Sequence, residues 1–80
     1  MKIKQAVARR VVELCEEKNI KPNELATKSG VTPSTVYSML DDSREDIRIT
    51  TIKKLCDGLG ITITKFFDEK KFCELDQEIE

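Results

Sequence analysis

Two proline-started segments constrain this chain more than any other feature. Pro22 and Pro33 each follow a polar residue, Lys21 or Thr32, that is preceded by an apolar one, Ile20 or Val31. Proline at the first helical position gives up a donor that no helix carbonyl could have used, and its φ is already helical. Three residues on, Leu25 and Val36 stand at the fourth helical position, where they close back on Ile20 and Val31 as hydrophobic staples. Gly30, between the segments, supplies a turn at positive φ without a side-chain clash. The pattern predicts two short helices, over about 22–28 and 33–40, with Thr32 capping the second.

The same grammar recurs along the chain. Val7, Val11, Leu14 and Cys15 mark the core stripe of a first helix over about 3–18, with Arg9, Glu13, Glu16 and Glu17 in solvent and Asn19 as its stop. Ile47 to Ile52 opens a fourth helix over about 49–59, ended by Gly60, and Ile61, Thr62 and Phe66 open a fifth over about 63–68. No alternating stretch is long enough to compete as a sheet. Eighty residues close one small core, so the expected fold is all-α, a compact five-helix orthogonal bundle. Within it DDSRED, Asp41 to Asp46, is wholly polar and reads as a surface loop. The folded unit is expected over 1–68. Residues 69–80 form an acidic C-terminal tail or a short helix; Phe72, Leu75 and Ile79 recur at three- and four-residue steps, so this segment is either a helix offered to a partner subunit or a frayed end.

Composition removes several functions. No apolar run approaches bilayer length, and Met1 to Gln5 lacks the apolar core of a secretion signal, so a cytoplasmic protein without a membrane association is expected. Cys15, Cys56 and Cys73 are odd in number and widely spaced, which reads as free thiols packed like small hydrophobes. With no histidine anywhere, no metal site and no cofactor are expected. Asp41, Asp42 and Asp46 lack the spacing and central glycine of a calcium loop. There is no glycine-rich phosphate loop and no clustered pair of carboxylates, which argues against an enzyme and against a small-molecule substrate. Residues 1–67 hold twelve Lys or Arg against nine Asp or Glu, and 68–80 hold two against six. Net charge therefore does not announce nucleic acid; the organisation must.

That organisation lies in Pro22 to Asp41. Leu25, small Ala26, Gly30, Val31, Val36 and Met39 are spaced so that two helices cross steeply about a tight turn, which is a helix-turn-helix. The stretch ELATKSGVTPSTVYSML resembles the motif of the phage-repressor family, the Cro and xenobiotic-response-element type. LCEEKNI resembles the end of that family's first helix and TIKKLCDGLGITITKFF its last two, so the resemblance covers about 9–68. It implies a sequence-specific DNA-binding regulator, most simply a repressor, acting on double-stranded operator DNA as a homodimer with the helix near 33–40 in the major groove. With Val36, Met39 and Leu40 turned inward, that helix presents Ser34, Tyr37 and Ser38, and Asp41 at its end. By the alignment Ser34 and Ser38 fall at base-reading positions with Tyr37 between them, where its ring can also pack on a thymine methyl. Pro33 holds a reading position with nothing to donate. Lys21, Thr32, Thr35 and Arg44 match or neighbour positions that grip phosphates. Lys28 and Arg48, like Lys21 and Arg44, also suit a purely solvated surface.

The chain departs from the family pattern in places. Cys15 and Leu40 stand where many members carry an arginine and a glutamate joined as an internal ion pair. Losing one partner alone would strand a charge at about 3–5 kcal/mol, whereas an apolar pair can replace both at no loss, so contact between Cys15 and Leu40 is expected. Pro22 replaces a glutamine that often faces phosphate, Asp42 stands near a usual glycine, and Asp41 adds negative charge near the expected backbone; each change lowers the expected affinity. A competing reading is a protein-interaction module, such as an antitoxin or adaptor, that keeps the scaffold and binds through the C-terminal segment.

Overall fold

A computed structural model describes residues 1–41 and 46–79. Five α-helices follow one another: α1 (Ile3–Glu17), α2 (Pro22–Ser29), α3 (Pro33–Leu40), α4 (Ile49–Leu59) and α5 (Ile63–Phe67), with a 3₁₀ turn over Lys70–Cys73. There is no strand among the described residues. Among the described residues no helix is long and apolar enough to cross a membrane. Of the polar loop expected over 41–46, Asp41 and Asp46 are exposed, and 42–45 lie outside the described residues.

The helix ends follow from the residues that mark them. Asn19 takes φ 54, and the Ile20 amide donates to the Cys15 carbonyl at 2.9 Å, so α1 closes in a left-handed turn. Gly30 at φ 70 and Gly60 at φ 71 end α2 and α4 in the same way. A β-carbon on Gly30 would meet nothing within 4 Å, so glycine is required there by backbone conformation and not by space. Gly58 is the opposite case: its added β-carbon would run into Ser29 Oγ and lie 3.1 Å from backbone atoms of Lys28 and Ser29, so the glycine lets α4 approach the end of α2. Thr32 and Thr62 accept the Thr35 and Lys65 amides and start α3 and α5. Lys21, at the start of α2, makes no such side-chain bond.

The core gathers Val7, Val11, Leu14 and Cys15 from α1, Leu25 and Ala26 from α2, Val36 and Met39 from α3, Ile52, Leu55, Cys56 and Leu59 from α4, and Phe66 from α5. Ile20, Val31 and Leu40 pack against it, half-buried. Helix α2 packs on both α3 and α4, and α1 packs on α3 and α2. Lys4 is buried and donates its ammonium to the Asp41 carbonyl, tying the start of α1 to the end of α3.

Three expectations need correction. Glu13 is not simply solvated, because its carboxylate pairs with Lys71. Cys15 and Cys56 are buried thiols, but Cys73 is exposed and does not pack as a hydrophobe. Beyond Asp68 the helical content is one 3₁₀ turn, after which the chain runs extended along the start of α1. There the Asp76 carboxylate lies 3.1 Å from the Met1 amine, the Asp76 amide donates to the Met1 carbonyl, and Glu78 accepts from the Ile3 amide at 3.1 Å. Phe72 turns inward, stacked edge-on with Phe67 at 4.9 Å, so the stripe expected to meet a partner loses its aromatic member to the core. Ile79 remains 79% exposed.

Arg10 was not foreseen as a core residue. It is only 4% exposed, and it fastens α1 to the end of α5 by donating to the Phe66 carbonyl at 2.7 Å, the Lys65 carbonyl at 3.0 Å and the Glu69 carboxylate at 2.9 Å. A buried guanidinium is tolerated where its fork finds acceptors, and the carbonyls at a helix C-terminus are acceptors without intrahelical donors.

Candidate DNA interface

The eight residues of α3 divide cleanly. Val36 and Met39 are buried and Leu40 leans on the core, while Ser34, Tyr37 and Ser38 are exposed on the other side. Tyr37 keeps 51% of its surface in solvent, although a tyrosine ring buries readily wherever a core accepts it. Helix length and diameter suit the major groove, whose base edges offer both donors and acceptors to hydroxyls. The structure thus brings the three expected base-reading side chains together on one uncharged face.

The expected phosphate-gripping residues are placed less uniformly. Lys21 is exposed at the start of α2, at the opposite end of that helix from the Gly30 turn that leads into α3. Arg44 lies outside the described residues. Thr32 and Thr35 meet in a hydroxyl cluster: Thr32 Oγ1 accepts the Thr35 amide at 3.3 Å and sits 3.0 Å from Ser34 Oγ and 2.9 Å from Thr35 Oγ1. The Thr32 side chain is therefore engaged within the protein, and Ser34 is already hydrogen-bonded to its neighbour. Lys28 pairs with Glu24 at 3.7 Å on the exposed side of α2.

Sequence reasoning set Arg48 aside and did not single out Thr51. Both line a surface cleft of about 240 Å³ between α3 and the start of α4, together with Thr35, Ser38 and the acidic Asp46. Arg48 is the residue before α4 and forms no side-chain cap, so the first amides of that helix are left without a side-chain acceptor. No local signal joins Thr35 to Arg48; the crossing of α3 and α4 does. Among the described residues no group of acidic, cysteine or histidine side chains could hold a metal ion.

Residues 10–68 match the family model described as the Cro/C1-type helix-turn-helix DNA-binding domain. Among solved structures, the prophage Lp1 protein 11 is similar at 36% identity with a TM-score of 0.81, over 90% of this chain and 96% of that one. The wild-type restriction-modification controller protein C.Esp1396I shares the fold at 20% identity and a TM-score of 0.75, over 89% of this chain and 88% of that one. A point mutant of the same controller gives 20% identity and a TM-score of 0.76, with 92% of each chain covered. No curated protein matches the chain.

Proposed function

The chain belongs to the Cro/C1-type helix-turn-helix DNA-binding family, and on that premise we propose that it is a transcriptional repressor that reads an operator as a homodimer, with α3 of each subunit in the major groove. Ser34, Tyr37 and Ser38 contact base edges. Lys21, Thr35, Arg44 and Arg48, with the amides opening α4, hold phosphates and set the register. Thr32 fixes the start of α3 and contributes to the phosphate side through its backbone.

The observation that carries this reading is the exposure of Tyr37 between two exposed serines on the helix whose opposite side is sealed into the core. An eight-residue helix reaches too few base pairs to be selective alone, so two copies on half-sites about 34–36 Å apart, or a multiple of that spacing, supply the specificity. Base contacts made mainly by hydroxyls and one phenol are modest, which makes the second subunit a requirement of affinity as well.

Selection from a randomised duplex pool at low salt tests the reading. Enrichment of a two-fold related sequence is the expected result, and recovery of no sequence preference sinks it. The alternative use of the scaffold, protein binding through the C-terminal segment, is separated by two variants. Tyr37→Ala with Ser38→Ala should abolish operator binding, whereas removal of residues 74–79 should leave the base preference in place.

A further inference from the structure

Resting on the reading that α3 enters the major groove, we propose that Thr32 and Thr35 decide which bases Ser34 accepts: Ser34 presents lone pairs and selects a base with an exocyclic amino group, adenine or cytosine. The basis is proton accounting in the hydroxyl cluster. A hydroxyl has one proton and two lone pairs. Thr32 Oγ1 has three neighbours, and the Thr35 amide at 3.3 Å can only donate, so it occupies one lone pair. The other lone pair and the Thr32 proton are divided between Ser34 Oγ at 3.0 Å and Thr35 Oγ1 at 2.9 Å. One of these two hydroxyls must donate to Thr32 and the other must accept from it.

DNA chooses between the two arrangements. Thr35 lines the cleft that also holds Arg48, Thr51 and the Asp46 carboxylate, and a phosphate held there by the guanidinium against the repulsion of Asp46 offers acceptors and no donor. Thr35 then gives its proton to the phosphate and accepts from Thr32, which obliges Ser34 to donate to Thr32. The outward side of Ser34 is left with lone pairs. In the major groove adenine N6 and cytosine N4 donate, while guanine presents O6 and N7 and thymine presents O4 as acceptors. Ser34 therefore bonds an amino group and meets a keto oxygen with repulsion. Thr32, with its proton committed in either arrangement, is a positioning residue: it transmits the grip on the backbone to the choice of base.

Pool selection with the full chain tests this, using Ser34→Ala to locate the position that Ser34 reads. The wild type should favour adenine or cytosine there by about tenfold. Thr35→Val keeps the shape and the backbone amide but removes the second hydroxyl. Ser34 is then free to accept from Thr32 and donate outward, so guanine and thymine should rise to within about threefold of adenine and cytosine. Thr35→Ser should restore the original preference, which separates the relay from any effect of Thr35→Val on folding. A Thr35 that merely held phosphate would lower affinity for all sequences alike with the preference intact, and that result overturns the proposal. So does a wild-type preference for guanine or thymine, or a Ser34→Ala protein with an unchanged motif. A wild-type pool with no enriched sequence would instead remove the major-groove reading itself, and this inference with it.

Discussion

The outer face of α3 and the seam between α1 and α5 are both built from polar side chains, and the protein uses them in opposite ways. In the seam, Arg10 is buried and all of its assigned bonds end on protein acceptors, two carbonyls and one carboxylate. On α3, Ser34, Tyr37 and Ser38 sit in water, and the internal hydrogen bonds of the hydroxyl cluster leave outward lone pairs unused. The difference teaches where each kind of energy is spent. A buried charge must be satisfied within the fold because an unpaired one is expensive in a low-dielectric interior. A recognition surface must keep capacity in reserve, because a hydrogen bond already completed inside the protein gives nothing to a ligand.

Breaking the seam should have the largest effect. Arg10→Leu removes the guanidinium, which leaves the Phe66 carbonyl without its partner in a buried setting and takes one donor each from the Lys65 carbonyl and the Glu69 carboxylate. A loss of about 3 kcal/mol in urea unfolding is expected, with the operator preference of the folded fraction unchanged. A neutral outcome would mean that the seam does not hold α5.

Tyr37→Ala should reverse that pattern. Stability should stay within about 0.5 kcal/mol, as for other exposed positions, while operator affinity falls by about 1–3 kcal/mol. Equal losses in both would show that the ring is structural. Thr32→Ala lies between the two regions, since Thr32 both caps α3 and organises the hydroxyls. Thermal unfolding should report a loss of about 1 kcal/mol from the missing cap.

The smallest effect sharpens the comparison through the thiols. Burial, followed by the nearby Glu16 for Cys15 and Asp57 for Cys56, pushes both thiols above their ordinary value of 9.0. A folded value raised above the unfolded one contributes stability that is complete below the unfolded value and is lost as pH rises through the folded one. The urea midpoint should therefore decline gently from about pH 9 upward. Thiol labelling at neutral pH should reach exposed Cys73 first and the other two only on unfolding. Prompt labelling of all three would show that the core opens readily.

Most of the helix ends were legible because the residues that make them act locally. Pro33 and Thr32 start α3 by their own conformation and cap, and Gly30, Gly60 and Asn19 stop helices by adopting positive φ. The reading face of α3 was legible for a related reason. Helical phase places Tyr37 opposite Val36 and Met39 once those two are known to be core. Arg10 was hidden: helical phase puts it beside the Val7 and Leu14 stripe, unlike Arg9, but gives no sign of the acceptors that make burying its charge possible. Its acceptors lie more than fifty residues away, on the end of α5 and beyond. The segment after Asp68, left open between a short helix and a tail, stayed undecided for the converse reason. The spacing of Phe72, Leu75 and Ile79 is helical, but a place in the core for Phe72 and the start of α1 as a partner for Asp76 and Glu78 outweigh a weak local preference.

The sequence by itself determined where the helices begin and end, which stripe of each turns inward, and that hydroxyls and a phenol face outward from α3. These are properties of bonds and rotations within a few residues. Only the tertiary structure decided that Arg10 is an internal clasp, that the C-terminal segment lies along α1, and that Thr35 shares a cleft with Arg48. The first and last depend on the angle at which two helices cross, which the packing of many side chains sets together, and the second on contacts between chain ends far apart in sequence.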